Sequence, residues 1–387
     1  MIRTALVIGG GIAGPATAMA LRKAGIDATV YEAATTPRGG AFLTLAPNGV
    51  DALRVLDAEE SALANAFPTP GITLRSTTGK VLGSSSTGGS RSFTLRRSDL
   101  YRGLSASAAE RDIPALTGKR FVGLSETATG VEASFADGTT ATADVLIGAD
   151  GIHSAVRRAI EPTAPPPAYA GLVGNGGFAP PVSAVTAAPG HYEMIFGRRA
   201  FFGYLVAPGD EIWWFANVPH RPEPTRAELA AVDWRSRLRE LFADDEGPAL
   251  PIIDATPEFV PMDPISSVRG LRSWHSNRVV LVGDAAHAPT PTSGQGASLS
   301  IEDGLVLAKC LRDHASPADA FARYEAARRP RVEAIIKAAA RSNSSKAAGP
   351  VGRVIRDAVL PTILRLAANS AAQRKVFDYH VDWATAA

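Results

Sequence analysis

Apolar runs at residues 5–8, 144–148 and 278–282 predict strands that are buried on both faces, as in a parallel sheet covered by helices. Between the last two runs the pattern changes. Residues 165–268 carry shorter runs separated by turns that contain glycine and proline, which indicates antiparallel strands. The hydrophobic pattern therefore predicts a parallel sheet interrupted by an antiparallel one.

Alternating apolar and polar residues predict where the antiparallel strands lie. Residues 120–143 alternate around the turn signals Thr129-Gly130 and Asp137-Gly138, which predicts a three-stranded meander. The predicted strands of the inserted sheet are residues 191–196, 200–206 and 211–218.

The order of these patterns predicts a discontinuous first domain and an inserted second domain. The first domain comprises residues 1–70, 97–160 and 270–345, the second comprises residues 71–96 and 165–268, and a helical tail comprises residues 346–387. The fold class is therefore α/β, with a Rossmann-like domain, an inserted antiparallel β-sheet and C-terminal helices.

The first buried strand leads directly into a glycine motif. Gly9, Gly11 and Gly14 follow the pattern G-x-G-x-x-G, and a helical stretch comes next. Gly9 allows a tight turn, Gly11 lets backbone N–H groups approach a pyrophosphate, and Gly14 lets helix and strand pack closely. Glu32 closes the following strand, where a dinucleotide-binding unit carries the acidic residue that binds ribose hydroxyls. The motif predicts dinucleotide binding but does not identify the dinucleotide.

Composition and charge exclude several other classes of protein. The 387 residues carry a net charge of +2 and no block of basic residues, so neither nucleic acid nor an anionic membrane surface is an expected partner. The longest uncharged stretch, residues 168–189, is interrupted by glycine and proline and predicts no membrane span. Cys310 is the only cysteine, and the first strand begins too early for a signal peptide, so we expect a cytoplasmic protein.

Three separated segments together resemble one family. The first is the glycine motif, the second spans residues 144–157 with an Asp-Gly pair, and the third spans residues 283–296 with a Gly-Asp pair. With an Arg-x-Asp-Leu element at residues 97–100, they extend over nearly the whole chain. Their order and spacing resemble the FAD-binding, DG and GD motifs of class A flavoprotein monooxygenases, which include p-hydroxybenzoate hydroxylase-like aromatic hydroxylases and tetracycline-inactivating monooxygenases.

The resemblance implies a reaction and a cofactor. NAD(P)H reduces the flavin, O2 adds to form a flavin C4a-hydroperoxide, and the distal oxygen attacks an aromatic or polycyclic small molecule. Because the chain has no second G-x-G-x-x-G motif, NADPH or NADH is expected to visit the flavin only transiently. The implied cofactor-binding residues are Gly9, Gly11, Ile12, Ala13, Gly14, Glu32, Arg38, Arg97, Asp150, Gly283, Asp284, Gly296 and Ala297. The implied catalytic residues beside the flavin ring are Pro291, Gly294, Gln295 and Gly296.

Several of these residues have a second interpretation. Asp284 either accepts hydrogen bonds from ribityl hydroxyls or only caps a helix. Arg38 either contacts a phosphate or is a solvated loop charge. For His287, local packing and hydrogen bonding are favoured over a role as catalytic base. Ser154 and Arg157 are expected to do no more than cap and solvate a short helix.

Aromatic residues crowd the strands of the inserted sheet and suggest a substrate pocket. The predicted substrate-binding residues are Phe202, Tyr204, Trp213 and Phe215, together with Pro291. Alternation along a strand sends half of the aromatics to each face, and ordinary core packing is the alternative. If these aromatics are core, the pocket is expected among Thr44, Leu45 and residues 289–293.

Other functions stay open on the sequence alone. An epoxidase would use the same scaffold on an alkene. A simple NAD-dependent dehydrogenase leaves the segment around Asp284 unexplained, and a non-catalytic relative such as a GDP-dissociation inhibitor has no need of an intact loop at residues 284–296. No metal site is predicted. Neither the substrate, the choice between NADH and NADPH nor the oligomeric state follows from these residues.

Overall fold

The computed structural model describes residues 2–36, 40–86, 92–346, 357–362 and 371–387. The strands are β1 (Thr4–Ile8), β2 (Asp27–Tyr31), β3 (Phe42–Leu45), β4 (Phe67–Pro68), β5 (Gly71–Ser76), β6 (Val81–Ser86), β7 (Phe93–Arg96), β8 (Ala115–Leu116), β9 (Phe121–Glu126), β10 (Val131–Phe135), β11 (Thr140–Ala143), β12 (Val145–Gly148), β13 (Ala168–Ala179), β14 (Tyr192–Phe196), β15 (Phe201–Val206), β16 (Ile212–Pro219), β17 (Asp263–Ser267) and β18 (Val279–Leu281). The helices are α1 (Ala13–Lys23), α2 (Pro47–Val55), α3 (Glu59–Leu63), α4 (Arg97–Ala109), α5 (Ala155–Ile160), α6 (Arg226–Ala230), α7 (Trp234–Phe242), α8 (Ala249–Ala255), α9 (Gly296–Asp313), α10 (Pro317–Lys346), α11 (357–362) and α12 (Ala371–Phe377).

The amino-terminal strand lies at the centre of a five-stranded parallel sheet. The strand order is β18-β12-β1-β2-β8, so the three predicted buried strands are neighbours. Val7 and Ile147 are fully buried, because helices cover the sheet. Two of these helices, α1 and α9, approach closely at Gly304, where an ideal Cβ would lie 2.8 Å from Thr17 Oγ1. The prediction of a parallel sheet with an inserted antiparallel one is confirmed.

The inserted region forms a seven-stranded sheet in the order β17-β13-β16-β15-β14-β5-β6. All pairs are antiparallel except β14 with β5, which run parallel. The predicted meander is also present, as the three-stranded sheet β11-β10-β9 that leads into β12.

One strand departs from the predicted grouping of residues 71–96. β5 and β6 join the seven-stranded sheet, but β7 pairs with β3 and β4 in a separate three-stranded sheet. β7 leads directly into α4, and α4 packs against α1 on the parallel sheet. β7 is therefore held beside that sheet. This small sheet connects the two larger ones.

The two faces of the seven-stranded sheet are covered by different elements. Helices α7 and α8 pack on one face and form a hydrophobic core with it. Side chains of β3 and β4 pack on the other face. In the predicted tail, α12 packs beside α2. Among the residues that the structure describes, no helix is long and apolar enough to cross a membrane.

Candidate active site

The glycine motif forms the turn between β1 and α1. Gly9 has a φ of +110°, and an ideal Cβ there would lie 2.4 Å from the Ala149 carbonyl oxygen. A Cβ on Gly14 would lie 1.9 Å from the Gly9 carbonyl oxygen, so α1 packs directly on the turn. In front of Gly11 there is open space, with no atom within 4 Å of an ideal Cβ. The backbone is therefore crowded behind the turn and accessible in front of it.

Glu32 is tied to this turn. Its Oε2 accepts a hydrogen bond from Gly10 N at 2.7 Å, and its Oε1 accepts one from Ala34 N at 2.7 Å. Each oxygen keeps a lone pair that can accept a further hydrogen bond. Arg38, predicted to contact the cofactor from the next loop, lies outside the described residues.

The Asp-Gly segment is organised around the start of α5. Asp150 accepts hydrogen bonds from Ser154 Oγ at 2.5 Å and from Ala155 N at 2.7 Å, and burial raises the pKa of its carboxyl group. Ser154 caps α5 as expected. Arg157 does more than the sequence suggests, because its side chain is buried and donates to the Ala285 carbonyl oxygen at 2.8 Å. Arg157 thereby joins the Asp-Gly and Gly-Asp segments.

Asp284 lies in the short 3-10 turn Gly283–Ala285 that follows β18. Burial raises the pKa of its carboxyl group, and the nearby Arg97 guanidinium acts in the opposite direction. This carboxylate makes no hydrogen bond within the described part of the chain, so Asp284 caps no helix. Its Oδ1 would lie 3.9 Å from an ideal Cβ on Gly296, at the start of α9. The structure therefore brings Asp284, Arg97 and Gly296 together.

The same turn meets the beginning of α1. An ideal Cβ on Gly283 would lie 3.1 Å from the Ala13 Cβ. Ile12 precedes Ala13 as the N-cap residue of α1, and Ala297 lies in the first turn of α9. The amino-terminal ends of both helices thus lie beside the Gly-Asp turn.

The loop before α9 exposes some of the predicted catalytic residues and hides one. Pro291 is exposed at the start of a second 3-10 turn, and Gly294 has a φ of +61°. Gln295 is 2% exposed, and its Oε1 accepts a hydrogen bond from Asn48 Nδ2 at 2.9 Å. The Gln295 side chain is therefore turned into the protein and away from the exposed side of the loop.

Comparison with known proteins places this geometry in a family. A family model described as an FAD binding domain matches residues 3–339. The aurachin C monooxygenase/isomerase of Stigmatella aurantiaca is 30% identical over 333 residues, which cover 84% of this chain and 85% of that protein. The 3-amino-4-hydroxybenzoate 2-monooxygenase of Streptomyces platensis is 32% identical over an alignment of 392 positions, which covers 93% of each chain.

The chain belongs to the class A FAD-dependent monooxygenases. The crystal structure of Klebsiella pneumoniae HpxO complexed with FAD and uric acid superposes on it with a TM-score of 0.84 and 27% identity, covering 97% of this chain and 96% of that one. FAD is the cofactor of this monooxygenase, with NADPH or NADH as electron donor and O2 as oxidant, which is general for the family. The resemblance inferred from the three motifs is confirmed.

The residues of this monooxygenase fit FAD. The glycine turn offers backbone N–H groups to open space, which suits a pyrophosphate. One acceptor in the site, the Asp284 carboxylate, has no hydrogen-bond partner among the described residues. A bound polar ligand would satisfy such a group.

A buried ionic network holds the Gly-Asp turn from behind. Asp303 of α9 accepts hydrogen bonds from Gly283 N at 2.9 Å and from Arg328 Nε at 2.7 Å, and its Oδ2 lies 2.6 Å from His287 Nε2. Burial opposes ionisation of Asp303, but His287 and Arg328 outweigh it and hold the pKa of this carboxyl well below its usual range. His287 is 2% exposed, so it serves packing and hydrogen bonding, the role that the sequence favoured.

A second acidic residue extends this network to the loop before α9. Glu302 pairs with Arg328 at 2.6 Å and accepts a hydrogen bond from Asn48 Nδ2, also at 2.6 Å. Asn48 in turn holds Gln295.

The members of this network were not predicted from the sequence: Asn48, Glu302, Asp303 and Arg328. The available signal was a pair of adjacent acidic residues in the otherwise apolar stretch 299–308, because buried charges require partners.

The aromatic residues of the seven-stranded sheet divide between its faces. Trp213 and Phe215 pair with Leu205 and Gly203 across β15 and β16, and they face β3 and β4. Trp213 lies 5.4 Å from Phe42 and 5.2 Å from Phe67, measured between ring centroids. Trp213 and Phe215 therefore lie on one face of the sheet, and their role in substrate binding stays a prediction.

Phe202 and Tyr204, predicted to line the same substrate pocket, do not share the face of Trp213 and Phe215. They belong to the core under α7 and α8, on the opposite face of the sheet. Phe202 stacks on Trp214 at 5.3 Å and meets Phe242 edge-on at 5.4 Å. The physical reason is the two-residue period of a strand, which places neighbouring residues on opposite faces.

β3 links the aromatic face to the start of α9. Thr44 Oγ1 lies 3.0 Å from the Tyr192 hydroxyl on the sheet. Just beyond β3, Ala46 N donates to Ser298 Oγ of α9 at 3.3 Å. Thr44 is partly exposed, whereas Leu45 is fully buried. Thr44, one of the residues named for the alternative pocket, therefore adjoins the face that carries Trp213 and Phe215.

Proposed function

We propose that this monooxygenase transfers one oxygen atom to an aromatic small molecule that binds between the Trp213 face of the sheet and the loop at residues 289–296. The observation that carries the proposal is a group of partly exposed, large apolar side chains on this side of the sheet. Its members are Phe42, Phe178, Met194 and Phe215. Such a surface beside a few polar groups is typical of a small-molecule site. The names of the relatives, which mention aurachin C and 3-amino-4-hydroxybenzoate, support an aromatic substrate.

In this proposal the Rossmann-like domain binds and orients the cofactor. The N–H groups around Gly11 bind the pyrophosphate, and Glu32 accepts hydrogen bonds from the adenosine ribose. Asp284 accepts hydrogen bonds from the ribityl chain, and Arg97 supplies positive charge nearby. When bound, FAD supplies electron transfer from NAD(P)H and the activation of O2.

The amino-terminal end of α9 stabilises negative charge on the bound cofactor. Its first N–H groups, at Gly296 and Ala297, have no partners within the helix and carry partial positive charge that stabilises an adjacent anion. Pro291 and Gly294 form the exposed edge of the loop, and Gln295 positions that loop through Asn48. The aromatic face keeps water from the reacting atoms. The cytoplasm is the location that we propose, since NAD(P)H is available there.

The test is the response of the purified protein to aromatic ligands. We expect a yellow protein that releases FAD rather than FMN on denaturation. NAD(P)H oxidation is expected to be slow alone and to rise sharply with a suitable aromatic compound, with O2 consumed in step. Equal rates with and without every aromatic compound tested would contradict the proposed substrate class. Tightly bound NAD without flavin absorbance would contradict the cofactor site.

A further inference from the structure

The face of the seven-stranded sheet that meets β3 carries no charge on its three central strands. The positions nearest β3 are Tyr192, Met194, Gly203, Leu205, Trp213 and Phe215. The face continues away from β3 with Phe196, Phe201 and Asn217. Among the described residues of β14, β15 and β16, the charged residue is Glu193. Its side chain lies on the opposite face, where it pairs with Arg75 at 2.6 Å.

A flat ring lies in the middle of this face. An ideal Cβ on Gly203 would lie only 2.5 Å from Phe215 Cε1 and Cζ, so the Phe215 ring lies across the glycine. Phe42 and Phe201 flank it at centroid distances of 6.3 and 6.1 Å. Because Phe215 is partly exposed, it offers a surface on which another aromatic ring can stack.

The charges at the edge of this face are already paired. Arg96 Nη2 lies 2.7 Å from Glu211 Oε2, and the same carboxylate oxygen accepts a hydrogen bond from Trp213 Nε1 at 2.6 Å. The Arg96 guanidinium also lies 3.9 Å from the centroid of the Phe178 ring. Arg96 is thus already engaged by Glu211 and by the Phe178 ring, at the edge of the face.

Polar groups on this side are uncharged hydroxyls in a chain. Tyr192 contacts Thr44 at 3.0 Å, Thr44 contacts Thr94 at 2.7 Å, and Thr94 contacts Thr69 at 2.6 Å. Burial raises the pKa of Tyr192 to about 12, so its hydroxyl stays neutral at physiological pH. Thr44, the partly exposed member of this chain, can exchange hydrogen bonds with a phenol, ketone or amide, but a neutral hydroxyl cannot neutralise an anion.

We propose that the site selects a planar aromatic substrate without charge and discriminates against an aromatic carboxylate. An anion would lose its hydration on this apolar surface, and the described side chains that β14, β15 and β16 place on it offer the anion no cation. The inference rests on the proposed function and adds the charge of the substrate to it.

The test uses three probes of one ring system: 2-naphthol, 3-hydroxy-2-naphthamide and 3-hydroxy-2-naphthoate. Binding to the FAD-loaded protein is measured by the change in flavin absorbance, and stimulation by NAD(P)H oxidation. We expect the amide to bind at least tenfold more tightly than the carboxylate of nearly the same shape. Equal or tighter binding of the carboxylate would overturn the inference while leaving the monooxygenase intact. If no probe binds or stimulates, the proposed aromatic substrate fails as well.

A variant designed to gain affinity for the carboxylate provides the second measurement. Met194→Arg adds a cation to the partly exposed middle of the face, and we expect it to shift the carboxylate-to-amide preference at least tenfold toward the carboxylate. Met194→Gln is the matched control, because it changes polarity without adding charge and should leave the preference unaltered. An unshifted preference in Met194→Arg would place the ligand elsewhere and overturn the assignment.

Discussion

The FAD-binding region and the aromatic face of the large sheet treat charge in opposite ways. Behind the Gly-Asp turn, Glu302, Asp303 and Arg328 are fully buried and paired with one another. On the face of the sheet that carries Phe215, the described side chains of the three central strands are uncharged. In the first region buried ion pairs fix the positions of the backbone. The second region offers an apolar surface, whose contacts with a ligand have little directional preference.

The difference follows from what each region binds. A cofactor with a fixed set of polar atoms needs hydrogen-bonding groups at fixed positions, and buried ion pairs hold such positions because any displacement leaves a charge without its partner. An apolar ring makes few directional contacts, so shape and dryness matter more for a substrate pocket. Four substitutions test this contrast, from the largest expected effect to the smallest.

Asp303→Asn removes the anion on which three groups of the FAD-binding region converge. Arg328 keeps Glu302 as a partner, so we expect a loss of about 3 kcal/mol in the free energy of unfolding, at the lower end for a broken buried pair. Urea unfolding of the FAD-loaded protein measures it. The exposed pair Arg22–Asp27 provides the control, because Asp27→Asn should change stability by less than about 0.5 kcal/mol.

The pH dependence of stability sharpens the same comparison. The pKa of Asp303 is held below its usual range in the folded protein, so its stabilising contribution is present above the unfolded pKa of about 4 and is lost as the pH falls further. Asp303→Asn should therefore flatten the loss of stability below about pH 4. An unchanged acid limb in this variant would show that the network contributes little.

Asp284→Ala tests binding rather than stability in the same region. A hydrogen bond to a charged group contributes about 1.5 to 3 kcal/mol, so FAD affinity should fall roughly ten- to a hundredfold. Fluorescence titration of the apoprotein with FAD measures the change. Asp263→Ala, at an exposed position 3.9 Å from Arg226, is the matched control and should leave FAD affinity unaltered. Full retention of FAD by Asp284→Ala would remove Asp284 from the cofactor site.

The FAD-binding region was largely predictable from sequence because backbone constraints act there over short distances. Gly9 is required by its φ of +110° and Gly14 by its approach to the Gly9 carbonyl oxygen within the same turn, and such local requirements leave a fixed spacing in the chain. The network behind the turn was not predicted, since Asn48 and Glu302 are 254 residues apart and no spacing records their contact. Only the packing of α2 against α9 brings them together.

The aromatic face was only half predictable for a different reason. Alternation shows that Tyr204 and Leu205 point in opposite directions, but it does not say which of them faces the cofactor. That choice depends on which element covers each face, and aromatic residues are abundant on both. Phe42 and Tyr192, which complete the proposed substrate side, lie on strands far apart in sequence.

Phe215→Leu tests the aromatic face at its partly exposed centre. Loss of an aromatic stacking surface is expected to weaken binding of an aromatic substrate by about 0.5 to 1.5 kcal/mol, or roughly two- to tenfold, and to release some H2O2 in place of product. The flavin content should stay the same. Substrate titration and the ratio of product to NAD(P)H consumed measure the effects. Unchanged affinity and coupling would identify Phe215 as core.

Tyr204→Phe is expected to have the smallest effect, since it alters the opposite face of the same sheet. The Tyr204 hydroxyl makes no hydrogen bond to a described residue and lines a cavity of about 220 Å³ beside Arg75 and Glu193. Removing a hydroxyl without a partner should change the free energy of unfolding by no more than about 0.5 kcal/mol. Coupling of NAD(P)H oxidation to product, measured beside Phe215→Leu, should equal that of the wild type. A loss of coupling in Tyr204→Phe would mean that the helix-covered face also acts on the substrate, and the assignment of the two faces would have to be abandoned.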